Sequence, residues 1–180
     1  MEKTLQQYNR ELDICRDLFY KKTKDYGTAW RVLRPASLTD QIFIKAQRIR
    51  TLQEKGISKV GEGIHEEFVG IVNYAVMALI QCQLGVEGNM ELPADEALNL
   101  YNQHAFATRD LMMKKNHDYG EAWRNMRVSS LTDLILMKIL RIKQIEDNQG
   151  KTMVSEGVEA GYADMMNYAI FALILLHEQG

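Results

Sequence analysis

The motif DYGTAWR at residues 25–31 returns as DYGEAWR at residues 118–124, at an offset of 93 residues. The register holds on both sides of the motif, and one inserted residue is needed before the last aligned segment. The aligned segments include RDL at 16–18 and 109–111, SLTD at 37–40 and 130–133, and NYA at 73–75 and 167–169. A match of this length predicts two tandem copies of one unit.

The two copies divide the chain into a first repeat at residues 1–84, a linker at 85–94 and a second repeat at 95–180. Turn residues Gly85, Gly88, Asn89 and Pro93 cluster in the linker. Two copies are too few for a solenoid, which needs at least three units to bury its faces. We therefore expect a pseudo-twofold pair of repeats that share one core.

The spacing of apolar residues predicts an all-α fold with three helices in each repeat and no strand. Ser37 and Ser130 each stand three residues before an aspartate, which predicts a capped start of the second helix. The DYGxAW motif predicts a turn into a short segment. The expected helices cover about Leu5–Lys24, Leu38–Glu54 and Ile64–Gln81 in the first repeat, with the last helix of the second repeat at Val158–Leu176.

Composition narrows the class of protein. The 180 residues carry a formal net charge of -2, which gives no overall attraction to extended nucleic acid or to an anionic membrane. The longest strongly apolar stretch, Met165–Leu176, is shorter than the ~20 residues of a membrane span. A lone pair of cysteines, Cys15 and Cys82, is typical of two free thiols. We expect a cytoplasmic protein whose oligomeric state stays open, with a homodimer as one alternative.

The last helix of each repeat is apolar on all sides except for an Asn-Tyr pair. This pattern predicts a buried central helix, with Asn73 in the first repeat and Asn167 followed by Tyr168 in the second. A buried amide needs hydrogen-bond partners. The partner is either another helix at the pseudo-twofold axis or a ligand, and the sequence leaves both interpretations open.

Three carboxylates, Glu156, Glu159 and Asp164, share one broad face of the last helix with Asn167. Carboxylates on an inward face are paired with cations or gathered around a metal. A solvated first turn explains the two glutamates equally well but explains Asp164 poorly. The first repeat has Gly70 at the position of Asp164, so either the second repeat has the working site or one composite site draws on both.

The second helix of each repeat contributes two cations that are three residues apart. These pairs are Lys45 with Arg48 and Lys138 with Arg141. A phosphate clamp is one interpretation. Long side chains that reach solvent from a core helix, or salt bridges to the carboxylates, are the other.

The DYGxAWR motif combines a carboxylate, two aromatic rings and a cation around a glycine turn. A tryptophan ring beside an arginine could stack on a base, although tryptophan more often fills a core. The candidate binding residues of the two motifs are Asp25, Tyr26 and Trp30 in the first repeat, and Asp118, Tyr119, Trp123 and Arg124 in the second.

Taken together, KKxxDYGxAW, the SL helix with its Lys and Arg, and the acidic last helix resemble the nucleotide modification associated domain family, type one. The resemblance covers nearly the whole chain, twice. The family's last helix reads E-x-x-E-x-x-x-x-D-x-x-N-Y-A, which the second repeat matches from Glu156 to Ala169. The first repeat keeps Glu62 and Asn73 but lacks the second Glu and the Asp.

A more distant similarity links the chain to MazG-like all-α nucleoside triphosphate pyrophosphatases. That resemblance implies a pyrophosphohydrolase that acts on a free nucleotide with Mg²⁺ or Mn²⁺, held by Glu156, Glu159 and Asp164 as the catalytic and metal residues. Lys138 and Arg141 would hold phosphate. Two other hypotheses stay open: a non-catalytic nucleotide-binding module, and a structural bundle whose repeated polar residues fix the pairing of the halves.

Overall fold

The computed structural model describes residues 1–56, 60–88, 91–153 and 156–180, with side chains described for all of these except residues 60–62. This part of the chain forms six α-helices and two short 3₁₀ helices, and it contains no strand. The α-helices are α1 (Glu2–Tyr26), α2 (Pro35–Lys55), α3 (Val60–Leu84), α4 (Ala94–Tyr119), α5 (Val128–Asp147) and α6 (Val158–Gln179), and the 3₁₀ helices are Ala29–Val32 and Ala122–Asn125.

The predicted all-α duplication is confirmed, but the predicted caps of the second helix are wrong. Helix α2 begins at Pro35 and α5 begins at Val128, so Ser37 and Ser130 lie inside the first turn. Neither helix start has a side-chain cap. Pro35 suits the first helical position because the amide hydrogen it lacks would have no partner there. Helix α5 begins at the equivalent Val128, so the early start does not depend on the proline.

The glycine of each DYG motif ends the helix before it. Gly27 has φ +71° and Gly120 has φ +72°, values that residues with a Cβ rarely adopt. Their backbone N–H groups donate to Thr23 O and Asn116 O, which closes the last turn. Each chain reversal then delivers the tryptophan of the motif into a 3₁₀ turn at the same place in its repeat.

The six helices pack as three pairs about a pseudo-twofold axis, and each pair combines equivalent helices. Helices α3 and α6 form the central pair, α2 packs on α5, and α1 packs on α4. One hydrophobic cluster extends through both repeats, from Tyr8 and Phe68 to Tyr101 and Ile174. Both repeats therefore contribute to a single core.

The paired asparagines connect the two repeats within this core. Asn167 donates from Nδ2 to Thr108 O at 3.2 Å and accepts from the hydroxyl of Tyr8 at 2.6 Å. Asn73 donates to Cys15 O at 3.0 Å and accepts from the hydroxyl of Tyr101 at 2.7 Å. Each tyrosine belongs to the repeat opposite its asparagine. These bonds support the structural interpretation of both amides.

One segment of α3, Gly63–Leu84, is long and apolar enough to cross a membrane by length and composition alone. Its mean hydropathy is 1.4, but 67% of the most apolar window is buried within the fold. The central position of α3 accounts for this composition, since the core helix of a bundle is apolar on all sides.

Candidate functional site

A cavity of about 560 Å³ opens in the first repeat, between the C-terminal part of α1, the DYGTAW turn and α3. We call it the first-repeat cavity. Its lining residues are Leu18, Phe19, Lys22, Thr23, Tyr26, Gly27, Trp30, Leu33, Lys45, Glu66, Glu67, Gly70, Asn73, Tyr74 and Met77. Four of the candidate binding residues therefore meet in one place, Tyr26, Trp30, Lys45 and Asn73, together with Tyr74 of the same NYA motif.

Aromatic rings form much of the wall. Trp30 packs at a tilt against Phe19, with ring centroids 6.1 Å apart, and remains partly open to the cavity. Tyr26 is 60% exposed at the cavity's edge. The indole Nε1 of Trp30 is buried and has no hydrogen-bond partner in the described part of the chain. A buried donor without a partner costs free energy unless an acceptor reaches it.

Charged groups also line the cavity. Lys45 Nζ lies 3.3 Å from Glu67 Oε2, and Arg48 donates to Glu67 Oε1 at 2.9 Å. Lys45 Nζ also lies 5.7 Å from the centroid of the Tyr74 ring. Lys22 and Glu66 complete the charged lining and are exposed. Lys45 and Arg48, the pair that the sequence suggested as a phosphate clamp, thus both form salt bridges to the nearly buried carboxylate of Glu67.

Gly70 makes room for the lysine. A Cβ at this position would lie 2.7 Å from Lys45 Cδ and 3.0 Å from Lys45 Nζ, closer than real side chains approach. The stem of Lys45 lies across the backbone of α3 and occupies the space that a side chain at residue 70 would need. The absence of a side chain at Gly70 therefore lets the ammonium group of Lys45 reach its observed position in the cavity.

The second repeat fills the corresponding space with its own side chains. Phe171 occupies the position equivalent to Met77 and stacks on Trp123, with ring centroids 4.2 Å apart and an angle of 4° between the planes. Both rings are buried, with Phe171 at 7% and Trp123 at 6% exposure. Trp123 thus has the core role that the sequence left as an alternative, whereas Trp30 faces a cavity.

In the second repeat, Asp164 forms salt bridges with two lysines. Its Oδ1 lies 3.1 Å from Lys115 Nζ and its Oδ2 lies 2.8 Å from Lys138 Nζ. The carboxylate is 17% exposed and Lys138 is 15% exposed, so the pair is partly shielded from water. Salt bridges to the carboxylate were one of the two interpretations of Lys138, and the structure contains them.

Lys45 and Lys138 are equivalent, but the carboxylates that pair with them lie at different positions of the last helix. Glu67 forms the salt bridge to Lys45 in the first repeat, and the residue equivalent to Glu67 in the second repeat is Gly161. Asp164 forms the salt bridge to Lys138 in the second repeat, and the residue equivalent to Asp164 in the first repeat is Gly70. Each repeat thus has one carboxylate and one glycine, in opposite order along the helix.

A groove of about 510 Å³ in the second repeat gathers four of the residues predicted from its sequence: Lys138, Arg141, Glu156 and Asp164. Glu156 and Glu159 are exposed, the former before α6 begins and the latter in its first turn. No group of three His, Cys, Asp or Glu side chains in the described ranges is placed to hold a metal. With Asp164 engaged by two lysines, these three carboxylates do not form a ready ligand set for Mg²⁺.

The remaining predicted residues have other surroundings. Arg124 lies 4.6 Å from the Trp123 ring and bonds to Glu121 at 2.6 Å, Thr4 at 2.6 Å and Gln7 at 2.7 Å. Tyr119 is 82% exposed, apart from the buried Trp123 that was expected to flank the same base. Asp25 and Asp118 are exposed at the helix ends. Burial raises the pKa of the Tyr168 hydroxyl, and the Asp164 carboxylate adds to the shift.

Sequence reasoning missed the contributions of Lys22, Lys115, Met77 and Phe171. The two lysines had a signal, since the KK pair before DYG is repeated at the same offset. The Met–Phe difference had none, because two apolar residues on a buried helix are interchangeable in a hydrophobic pattern. Only the packing shows that one of them covers a tryptophan and the other leaves it open.

A protein-family comparison agrees with the duplication. The family described as nucleotide modification associated domain 1 matches the chain twice, at residues 22–82 and 115–176. No curated protein and no solved structure matches the chain. The two matched regions begin at Lys22 and Lys115 and contain the DYGxAW motif and most of the last helix of each repeat.

Proposed function

The chain belongs to the nucleotide modification associated domain 1 family, and from that premise we propose that it binds a free nucleotide in the first-repeat cavity. This proposal takes the non-catalytic nucleotide-binding hypothesis as the minimal function. The cavity's volume of about 560 Å³ falls within the range of small-molecule sites. Its lining combines aromatic rings with a few polar groups, which is the usual make-up of such sites.

The observation that carries the proposal is the difference between the two tryptophans. Trp123 is covered by a stacked phenylalanine, while the equivalent Trp30 borders a cavity. The Nε1–H group is buried without a partner among the described residues in both tryptophans, but only that of Trp30 belongs to a ring that lines a cavity. A base can stack on an aromatic face and can offer a carbonyl oxygen to such a donor. Tyr74 adds a second phenol to the same cavity, beside that of Tyr26.

Tryptophan fluorescence tests the proposal, because Trp30 and Trp123 are the only tryptophans. In a Trp123→Phe background, Trp30 is the sole reporter, and we expect nucleotides from a panel of canonical and modified bases to change its emission with saturation. The matched Trp30→Phe protein, which reports from Trp123 alone, should show little change. A response from Trp123 alone, or from neither, would contradict the proposal.

A second candidate function is the Mg²⁺- or Mn²⁺-dependent pyrophosphohydrolase implied by the MazG-like resemblance. The groove that gathers Lys138, Arg141, Glu156 and Asp164 is where such a reaction would take place, although Asp164 is paired with Lys115 and Lys138 in this structure. Release of pyrophosphate from nucleoside triphosphates, measured with and without the metal, tests it directly. Metal-dependent turnover that Asp164→Asn abolishes would support hydrolysis, and the absence of turnover across the panel would leave binding alone.

A further inference from the structure

The second repeat contains two side chains that have no counterpart in the first repeat. Phe171 lies flat on Trp123, and Asp164 bridges Lys115 and Lys138. The equivalent positions of the first repeat are Met77 and Gly70, and both line the first-repeat cavity. We propose that the ligand of this cavity is a nucleoside monophosphate whose phosphate binds between Lys22 and Lys45, the lysines equivalent to the two that Asp164 bridges in the second repeat. This inference rests on the proposed function and adds the position and charge of the anionic group.

Two lysines of the first-repeat cavity correspond to the two lysines that bind a carboxylate in the second repeat. Lys22 and Lys45 are equivalent to Lys115 and Lys138, and both line the cavity. In the second repeat this pair converges on one carboxylate, at 3.1 and 2.8 Å. Gly70 has no side chain, so the first repeat lacks a carboxylate between these two lysines. The stem of Lys45 lies over Gly70, and an anion of the ligand can pair with the two ammonium groups instead. Ammonium groups bind phosphate as they bind carboxylate, through short charge-assisted hydrogen bonds.

The stacked pair of Trp123 and Phe171 has no counterpart in the first repeat. The Phe171 ring covers Trp123 at 4.2 Å with an angle of 4°, which is the geometry of a stacked base. Met77 lacks a ring, so the face of Trp30 stays available to a ligand. One molecule with a flat ring and an anionic group would therefore replace two side chains, and a nucleotide has both parts.

The charge of the cavity selects the monophosphate. Its lining carries two lysines, Lys22 and Lys45, and two glutamates, Glu66 and Glu67. Glu67 already neutralises part of Lys45, at 3.3 Å. A triphosphate without a counterion would bring more negative charge than these two lysines offset, and unpaired charge is costly in a partly enclosed site. A single phosphate carries a charge of about −1.5 to −2 at neutral pH, which two lysines can offset.

Calorimetric titrations with the four deoxynucleosides and their monophosphates, in EDTA, test the phosphate site. We expect the preferred monophosphate to bind about tenfold or more tightly than its nucleoside, as charge-assisted hydrogen bonds provide. Gly70→Asp restores the missing carboxylate and should remove this advantage while nucleoside binding persists. The flexible stem of Lys45 must move to admit the new side chain. Unchanged monophosphate affinity in a folded Gly70→Asp protein would overturn the inference.

A second pair of variants keeps the test valid if Gly70→Asp does not fold. Lys22→Ala should lower monophosphate affinity about tenfold and leave nucleoside affinity unchanged. The matched control, Lys115→Ala, changes the equivalent lysine of the second repeat and should alter neither affinity. Equal effects of the two lysine variants on monophosphate binding would count against the proposed position.

A gain of binding gives the most specific readout. The double variant Asp164→Gly/Phe171→Met gives the second repeat the residues of the first, and we expect the monophosphate stoichiometry to rise from one to two per chain. Stoichiometry that stays at one would contradict the idea that these side chains stand in for a ligand. If the wild type binds neither nucleosides nor nucleotides, the proposed function itself fails. Equal affinity for both forms leaves the proposed function intact and refutes only the phosphate site.

Discussion

The hydroxyl of Tyr8 in the first repeat donates a hydrogen bond of 2.6 Å to Oδ1 of Asn167 in the second repeat. The reciprocal bond joins Tyr101 to Asn73 at 2.7 Å. Both tyrosines are fully buried. The asparagine of each NYA motif therefore accepts a hydrogen bond from a tyrosine of the other repeat, and these two bonds link the halves of the core. A polar pair in this place also favours one register of the two repeats over its neighbours.

Loss of Asn167 should therefore reduce stability. Asn167→Ala leaves the buried hydroxyl of Tyr8 without its acceptor, and we expect a cost of about 1–3 kcal/mol in the free energy of unfolding. A double-mutant cycle with Tyr8→Phe, measured by chemical denaturation, should show that the two changes are coupled by more than about 0.5 kcal/mol.

The pair Asn73 and Tyr101 supplies the matched cycle, in which we expect coupling of similar size because the geometry is equivalent. Additive effects in both cycles would show that the hydrogen bonds contribute nothing specific to the pairing of the repeats.

Glu11 should make the protein less stable at neutral pH. Its side chain is 1% exposed and neither carboxylate oxygen has a hydrogen-bond partner within the described residues; the Nδ1 atom of His177 is 3.6 Å away. Burial raises the pKa of this carboxyl above 4.5, and Arg10, His177 and His65 offset part of the shift. The native state then holds the proton more tightly than the unfolded state. Its contribution to stability is complete below pH 4.5 and is lost as the pH rises through the raised pKa.

Glu11→Gln should accordingly raise the melting temperature at pH 7, and its advantage over the wild type should shrink towards pH 4. Glu2→Gln, at an exposed position in the same helix, serves as the control and should change the pH profile little. A Glu11→Gln protein that is less stable than the wild type at pH 7 would show that the ionised carboxylate has a partner that stabilises it.

Asp164→Asn should also destabilise the fold. The substitution removes the charge that pairs with Lys138 at 2.8 Å and Lys115 at 3.1 Å. Because Lys138 is only 15% exposed, we expect a loss of roughly 1–2 kcal/mol, more than an exposed ion pair contributes. Urea denaturation of this variant beside Asp133→Asn, whose carboxylate is 63% exposed, measures the difference. Equal stability of the two variants would contradict the structural role of Asp164.

The repeat made the fold predictable. One offset aligned the DYGxAWR motifs, and apolar spacing alone placed Asn73 and Asn167 on buried central helices. The limits of the helices were less predictable. Helices α2 and α5 begin at the equivalent residues Pro35 and Val128, ahead of the serines expected to cap them, and neither start has a side-chain cap.

The location of the candidate site was much harder to predict. The sequence showed that Gly70 replaces Asp164, and the missing carboxylate suggested a site in the second repeat. The contacts give the difference another meaning, since Asp164 is occupied by two lysines while Gly70 borders a cavity. Which lysine reaches which carboxylate depends on the packing of α2 on α3, and no pattern within one helix contains that information.

Calorimetric titration of the Met77→Phe variant tests the central claim, that the first repeat has an open nucleotide site and the second repeat has filled its own. We expect the new ring to stack on Trp30 as Phe171 stacks on Trp123, which would close the cavity without lowering the melting temperature. The wild type should then bind one nucleotide per chain and Met77→Phe should bind none. Nucleotide binding by Met77→Phe with the affinity and stoichiometry of the wild type would contradict the account.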